Sequence, residues 1–229
     1  MNKKVLLAAV LAGALGNQAH AAHTHSGFSI GANLGYANVT GSFNRSFVPN
    51  GAFATGGDTS NVGASAPLFG LFLGYGWSPN PVGLYFGGEI FGQLQNLNPK
   101  LNNDNGSLID VRFATQIRTS NTFGAVGKIG YLCKEALFFL KIGLASAKWQ
   151  FKFQDNGAAP NFGTASTNSR KTGFVAGLGM DYAIAKNWAI GTEYTYTAYG
   201  AIKLPITTLG TFTYKPRVHA FNVRLKYTF

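Results

Sequence analysis

The side chains best suited to ionic chemistry are three carboxylates and four cations that share one face of an alternating sequence pattern. They are Glu89, Lys128, Lys141, Asp181, Glu193, Arg224 and Lys226. Charges that are removed from water must pair with one another, so this set predicts either a structural network of ion pairs or a gated path for ions. We favour the structural network, and the gated path stays open as the alternative.

The histidines give little support for catalysis. Nucleophilic sites place a histidine beside a nucleophile or an activated water, and the histidines after residue 21 are His23, His25 and His219. Phe221, rather than a serine, stands at the second position after His219, unlike the His-x-Ser arrangement of barrel lipases. His23 and His25 offer only two metal ligands, on a chain end that we expect to be solvated. We therefore predict no enzyme, no metal and no cofactor.

The elements that must position these residues alternate with a period of two rather than 3.6. The last segment is the clearest, because apolar and polar residues alternate strictly up to the terminal residue. Its apolar positions are Phe221, Val223, Leu225, Tyr227 and Phe229. Similar alternation predicts strands over 28–36, 69–77, 82–90, 123–131, 138–144, 174–182, 188–196 and 221–229. The sequence therefore predicts eight strands and no amphipathic helix.

The connections between these strands alternate between two lengths. The short ones are 78–81, 133–136 and 183–187, and the long ones are 44–62, 95–106, 154–168 and 199–210. The long segments are rich in Asn, Gly, Ser, Thr and Pro, which favour turns and loops. Short turns that alternate with long loops predict antiparallel strands in an up-and-down order, with both termini at the short-turn end.

Two segments interrupt this regular order. The apolar alternation extends back to residue 109, so the fourth strand is either one long strand over 109–131 or two strands joined by a turn at Ser120-Asn121. Beyond Ser146, the aromatic residues Trp149, Phe151 and Phe153 fall out of phase with the apolar residues of 138–144. An extra residue in the strand causes such a shift, so we predict a β-bulge there.

The composition indicates a membrane. Charged residues make up 12% of the 229 residues, against about 25% in soluble domains. A membrane helix needs about 20 apolar residues, and the longest apolar run after the N-terminal segment, 137–147, contains Lys141. An open sheet is excluded from lipid, because each unpaired backbone group there costs several kcal/mol. The chain is therefore predicted to be all-β, an eight-stranded antiparallel up-and-down transmembrane β-barrel; a soluble secreted β-sandwich is the alternative.

The face that carries the seven charged residues is predicted to line the barrel. A Lys or Arg that faced lipid near the middle of the membrane would cost about 2–4 kcal/mol. Many of the 30 glycines share this face, and small residues leave room for large ones in the narrow interior of an eight-stranded barrel. Aromatic residues next to the short turns predict a girdle at one membrane interface. They are Trp77, Tyr131, Trp188, Tyr227 and Phe229.

The first 21 residues have the order of a secretory signal peptide. Lys3 and Lys4 precede an apolar stretch over 5–15, and Ala19 and Ala21 supply the small residues of a cleavage site. We predict cleavage after Ala21 and a mature barrel over 22–229. Loss of the two lysines changes the formal net charge from +11 to +9.

Three segments resemble the small outer-membrane β-barrel family, which includes opacity-type proteins and the membrane domains of OmpA-like proteins. They are GFSIGANLGY at 27–36, GTEYTY at 191–196 and VRLKYTF at 223–229. The resemblance implies localisation in the cell outer membrane. It also implies that the five alternating residues from Phe221 to Phe229 form a C-terminal signal read by the barrel assembly machinery.

Ten basic residues in or near the long connections predict that the protein binds anionic partners. They are Arg45, Lys100, Arg112, Arg118, Lys152, Arg170, Lys171, Lys203, Lys215 and Arg217. Such cations attract lipopolysaccharide phosphates and anionic host or surface glycans, whereas nucleic acid is not expected, because secretion places the protein outside the cytoplasm. We predict a non-enzymatic protein with an envelope-structural and surface-exposed, adhesin- or antigen-like role.

The alternative function is a narrow passive channel for ions or small solutes. A general porin is excluded by length, because large water-filled barrels need about 16–18 strands. Division of 208 mature residues among 16 strands would leave 13 residues for each strand with its loop.

Overall fold

A computed structural model describes residues 25–47, 57–103, 113–155, 164–206 and 210–229. The described ranges contain ten β-strands. They are β1 (Gly27–Phe47), β2 (Gly57–Trp77), β3 (Gly83–Leu97), β4 (Lys100–Asn103), β5 (Phe113–Cys133), β6 (Ala136–Asp155), β7 (Thr164–Ala183), β8 (Trp188–Tyr199), β9 (Ile202–Ile206) and β10 (Gly210–Thr228). No helix in these ranges is long and apolar enough to cross a membrane. The predicted signal peptide, with Ala19 and Ala21, lies outside the described residues.

The long strands form one closed antiparallel sheet. Its order is β1-β2-β3-β5-β6-β7-β8-β10, and β10 pairs with β1 to close the barrel. The two short strands continue two of the eight long ones: β4 pairs with β5 beyond the end of β3, and β9 pairs with β10 beyond the end of β8. Pro99 separates β3 from β4, because it has no backbone N–H to donate to the ladder. Closure leaves no strand edge exposed to lipid, and the predicted eight-stranded barrel is confirmed.

The short connections lie at 78–82, 134–135 and 184–187, close to the predicted positions. The predicted long loops are wrong in extent, because strand pairing continues into them. β1 and β2, for example, remain paired as far as Ser46 and Gly57. The polar side chains of Thr, Ser and Asn can be solvated on both faces of a sheet. The strands can therefore continue outside the membrane, where their backbone groups still have partners in the next strand. Residues 48–56, 104–112, 156–163 and 207–209 lie outside the described part of the chain.

The fourth long strand, β5, is a single strand, and Ser120-Asn121 is not a turn. Thr119 pairs with Trp149, whereas Thr122 pairs with Ala147, so β5 has one extra residue between these two pairs. The irregularity that the sequence pattern suggested is therefore a bulge on β5 rather than a separate hairpin.

The predicted bulge on β6 after Ser146 is wrong. β6 pairs with β7 in an unbroken register from Ala136 to Gln154. Trp149 and Phe151 keep the inward phase of Lys141, and both are buried. The apolar residues change face along β6 because the interior of the barrel becomes apolar towards the long connections. Phe153 lies beyond the side chains that the structure describes.

Lipid-facing and interior positions alternate along the long strands. On β10, Phe221, Val223 and Leu225 are exposed, whereas Asn222 and Arg224 are buried. Large residues fit inside because glycines stand opposite them. A Cβ atom added to Gly173, for example, would lie 2.8 Å from the ring of Tyr199. The apolar exterior, and the interior in which glycines leave room for large side chains, both follow from the period-two pattern of the sequence.

Two rows of aromatic side chains mark the limits of the lipid-facing band. Next to the short turns, the ring of Tyr227 lies 5.0 Å from that of Trp188 and 5.1 Å from that of Phe229. At the other limit, Tyr196 lies 5.1 Å from the ring of His219. The eight residue-to-residue steps from His219 to Tyr227 on β10 span about 27 Å of strand, or about 20 Å along the axis of a tilted barrel. This agrees with the apolar band of about 25 Å in outer-membrane barrels. We call the part of the barrel beyond His219 the outer end.

Candidate functional site

Arg224 lies at the centre of the predicted ionic cluster, inside the barrel on β10. Its Nη1 donates a hydrogen bond of 2.6 Å to Glu193 Oε2, and its Nη2 donates one of 2.5 Å to Glu89 Oε1. Its Nε lies 3.4 Å from Asp181 Oδ1. Carboxylates from β3, β7 and β8 therefore surround a single guanidinium.

Three lysines from β5, β6 and β10 complete the cluster. The Nζ atoms of Lys128, Lys141 and Lys226 lie 2.5, 2.6 and 3.5 Å from carboxylate oxygens of Glu89, Glu193 and Asp181, respectively. The structure thus brings together all seven residues that the sequence singled out, and we call them the ionic layer. Four cations and three carboxylates give this layer a formal charge of +1.

The ionic layer is removed from water. The four cations, Asp181 and Glu193 are each 5% exposed or less. Aromatic faces add to the pairing, since Arg224 Cζ lies 4.2 Å from the ring centroid of Phe72 and Lys128 Nζ lies 4.0 Å from that of Phe139. Removal of one partner from a buried ion pair leaves an uncompensated charge and costs about 3–5 kcal/mol. This arrangement can hold six strands in register across the lumen.

His25 is joined to the ionic layer, so the expectation of a solvated tail is wrong for this residue. Its ring is buried, with Nδ1 3.1 Å from Lys226 Nζ and Nε2 3.2 Å from the carbonyl oxygen of Glu135. The ammonium donates to Nδ1, so the proton of the neutral ring is on Nε2 and is donated to the carbonyl. Burial, and then the charge of Lys226, lowers the pKa of His25 to about 4. A residue before the first strand has no periodicity that would have revealed this role; His23 lies outside the described residues.

Apolar side chains occupy the barrel interior on both sides of the ionic layer. Towards the short turns they are Tyr85, Leu132, Leu137 and Phe139. Towards the outer end they form a larger cluster that includes Leu68, Leu97, Ile117, Trp149, Phe151, Tyr199 and Tyr214. We call this cluster the upper apolar layer. Trp149 is its largest fully buried side chain, and its ring lies 5.4 Å from that of Tyr199.

His219 faces outward, as the alternation on β10 predicts. Its Nδ1 lies 2.7 Å from the hydroxyl of Tyr194, and its neighbours are aromatic residues of β8. The described residues contain no group of three or more His, Cys, Asp or Glu side chains arranged to hold a metal ion. The five residues of the predicted C-terminal signal, Phe221, Val223, Leu225, Tyr227 and Phe229, form one lipid-facing row.

Basic side chains are exposed at the outer end of the barrel on β5, β6, β7, β9 and β10. Six of the ten predicted from the sequence are exposed on its outer face: Arg118, Lys152, Arg170, Lys203, Lys215 and Arg217. Lys171 points inward and is half-buried, whereas the side chains of Arg45 and Lys100 and all of Arg112 lie outside the description. Lys148 also belongs to the exposed set. Lys148 is not among the basic residues predicted from the sequence.

A closed barrel with a lipid-facing exterior and a filled interior defines the class of small transmembrane barrels. The chain belongs to the outer membrane protein beta-barrel domain family, which it matches over residues 5–229. It is 28% identical over 170 residues to the 31 kDa outer-membrane immunogenic proteins of Brucella melitensis biotype 1 and Brucella suis biovar 1, covering 74% of this chain and 69% of each relative. Its fold is similar to that of OprG from Pseudomonas aeruginosa, with a TM-score of 0.52, 15% identity, and coverage of 90% of this chain and 99% of OprG. The protein is an outer-membrane β-barrel protein.

Proposed function

We propose that this protein is a non-enzymatic structural element of the outer membrane whose basic outer end acts as an adhesin- or antigen-like surface. The observation that carries the proposal is the contrast between a filled interior and a basic exterior. Buried ionic and apolar side chains occupy successive levels of the described lumen. A barrel of this kind acts through the surface that it presents rather than through a path across the membrane.

The outer end fits anionic partners. Cations such as Arg118, Lys152 and Arg170 are exposed there, and the described side chains of this end include no carboxylate. Their field attracts anionic host or surface glycans and the phosphates of lipopolysaccharide. The Brucella relatives, which are named as immunogenic outer-membrane proteins, support a role as a surface antigen.

The experiment is binding of intact cells that express the protein to an immobilised sulfated polysaccharide. A variant with glutamine at Arg118, Lys152, Arg170, Lys203, Lys215 and Arg217 is expected to lose binding. Lys134→Gln at a short turn removes a charge at the opposite end and is the control. Equal binding by the sixfold variant and the wild type, at matched surface amounts, would contradict the adhesive role.

A narrow passive channel is the second candidate, favoured by the ionic layer that crosses the lumen. The upper apolar layer argues against it, because Trp149, Phe151 and Tyr214 are buried in the path that ions would take. Liposome-swelling and planar-bilayer measurements on purified protein separate the two functions. Solute flux or discrete conductance steps that change in Glu193→Gln would favour the channel and a gating role for the ionic layer.

Export and assembly are part of the same proposal. Cleavage after Ala21 leaves a mature chain that begins at Ala22, which N-terminal sequencing of the outer-membrane form tests directly. The C-terminal row that ends at Phe229 would be recognised by the barrel assembly machinery. Phe229→Ala is expected to reduce the amount of heat-modifiable barrel in the outer membrane; an undiminished amount would contradict this role.

A further inference from the structure

Four exposed cations lie together on the outer faces of three neighbouring strands. They are Arg118 on β5, Lys148 and Lys152 on β6, and Arg170 on β7. We call them the β5–β7 basic face. It lies directly above the lipid-facing band, because Lys148 follows Leu144 by four residues on the same face and Arg170 precedes Phe174 by four. Four residues are about 13 Å of strand, so these cations reach the depth of the lipid headgroups.

The β5–β7 basic face brings like charges together. Lys148 and Arg170 are direct partners in the register of β6 and β7. Arg118 pairs with Gln150 across β5 and β6, so it is a diagonal neighbour of Lys148 and Lys152. Like charges at opposed positions destabilise a sheet, and none of the four has a carboxylate partner among the described residues. An anion bound between them would remove this repulsion.

A cavity lies beside these charges. Its volume is about 240 Å³, and Asn98, Gln116, Ile117, Arg118, Gln150 and Lys152 line it. Arg118 Nε donates a 3.0 Å hydrogen bond to Asn98 Oδ1, which orients the guanidinium. Bidentate binding of a phosphate needs two guanidinium N–H groups, and the terminal nitrogens of Arg118 can supply them from the wall of the cavity.

The other sides of the barrel differ at the same height. On β1 and β2, the exposed pair is Asn38 and Ser65, joined by a 2.7 Å hydrogen bond, and it is uncharged. On β9 and β10, Lys203, Lys215 and Arg217 are exposed, but their cross-strand partners are uncharged, for example Thr40 opposite Arg217. The β9–β10 side therefore has three cations without the opposed pair that the β5–β7 basic face has.

We propose that the β5–β7 basic face and its cavity bind the phosphorylated headgroup of an outer-leaflet lipid. The position directly above acyl-chain-facing side chains selects a lipid rather than a soluble anion. This site rests on the contact with lipopolysaccharide proposed above and assigns it to one side of the barrel. Lys148, Arg170 and Arg118 hold the phosphates, and the cavity beside Arg118 receives the adjoining polar groups.

The test is native mass spectrometry of detergent-purified protein with diphosphorylated lipid A. The wild type is expected to retain this lipid, and Arg118→Gln/Lys148→Gln/Arg170→Gln is expected to bind it at least about tenfold more weakly. The matched control, Lys203→Gln/Lys215→Gln/Arg217→Gln, removes the same charge from β9 and β10 and is expected to bind less than about threefold more weakly. Heat-modifiable gel mobility confirms that each variant is folded.

Different failures have different meanings. Equal losses in the two triple variants would overturn the site while leaving a general contact with lipopolysaccharide, whereas no retention by the wild type would overturn both. Equal retention of fully dephosphorylated lipid A would overturn the role of phosphate. Displacement of the lipid by inorganic phosphate, but not by chloride at equal ionic strength, would assign the cavity to the free ion. If the β5–β7 variant loses heparin binding and keeps the lipid, the face binds soluble glycans instead.

Discussion

The strands β5, β6 and β7 carry cations in two regions whose surroundings are opposite. Within the barrel, Lys128 and Lys141 lie 2.5 and 2.6 Å from carboxylate oxygens. On the β5–β7 basic face, Lys148 of the same strand as Lys141 stands opposite Arg170, and no described carboxylate pairs with either. A shift between odd and even positions along β6 is enough to move a lysine from one region to the other.

The difference between the two regions follows from the dielectric around them. In a dry lumen, an unpaired charge costs several kcal/mol, so each cation of the ionic layer must have a carboxylate. Above the lipid-facing band, water and salt screen charges over about 8–10 Å, and an opposed like pair costs roughly 0.2–1 kcal/mol. Paired charges therefore stabilise the interior, whereas unpaired charges at the outer end are available to bind anions.

The largest effect is expected from Arg224→Ala. This change leaves the carboxylates of Glu89, Asp181 and Glu193 without their shared partner and should reduce the free energy of unfolding by about 3–5 kcal/mol or prevent folding. Urea unfolding in lipid vesicles, followed by heat-modifiable mobility, measures the loss.

A matched variant separates charge from packing in this experiment. Arg224→Met fills most of the space of the arginine without its charge, while Lys128, Lys141 and Lys226 still pair with the three carboxylates. A loss as large as that of Arg224→Ala would therefore assign the effect to the lost charge and hydrogen bonds rather than to packing. If Arg224→Ala costs less than about 1 kcal/mol, the ionic layer is not a closed buried network.

The upper apolar layer separates the two charged regions, and Trp149→Ala tests it. A cavity in place of this fully buried ring should cost about 3–5 kcal/mol, with little dependence on salt, because no charge is altered. Trp149→Phe, which keeps most of the apolar contact, should cost clearly less. Unfolding at low and high salt checks both expectations; a strongly salt-dependent loss would show that the layer acts through the ionic layer.

His25 should make the stability depend on pH. Its pKa is about 4 in the folded protein and about 6.5 when unfolded, so the unfolded chain binds more protons between these values. The contribution of the buried neutral His25 to the free energy of unfolding is complete above pH 6.5. It is lost as the pH falls towards 4, and the loss is at most about 3 kcal/mol. His25→Gln should flatten this dependence, measured by urea unfolding between pH 4 and 8. An unchanged slope would show that His25 does not lie beside Lys226 in the membrane.

The sequence predicted the ionic layer and the closed barrel because both depend on period-two alternation, which a single chain displays. Every long strand position followed from that pattern. It could not predict where strands end outside the membrane, because Thr, Ser and Asn suit both loops and water-exposed strands, as in the part of β1 and β2 that ends with the pair Ser46 and Gly57. It also misjudged Trp149 and Phe151. Apolar residues face either lipid or an apolar lumen, and only the register with β7 decides between them.

The smallest effect is expected from Lys148→Gln on the β5–β7 basic face. Without an anionic lipid, the change relieves the repulsion from Arg170 and should raise the free energy of unfolding by less than about 1 kcal/mol at low salt, with no effect at about 1 M salt. Lys134→Gln, at a turn on the other end, is the control. In vesicles that contain diphosphorylated lipid A the sign should reverse, because Lys148 then holds a phosphate that stabilises the folded barrel through binding. A destabilising effect in both kinds of vesicle would mean that Lys148 has a partner within the protein. Lys148 would then be a paired charge, like the cations of the ionic layer, rather than an unpaired one.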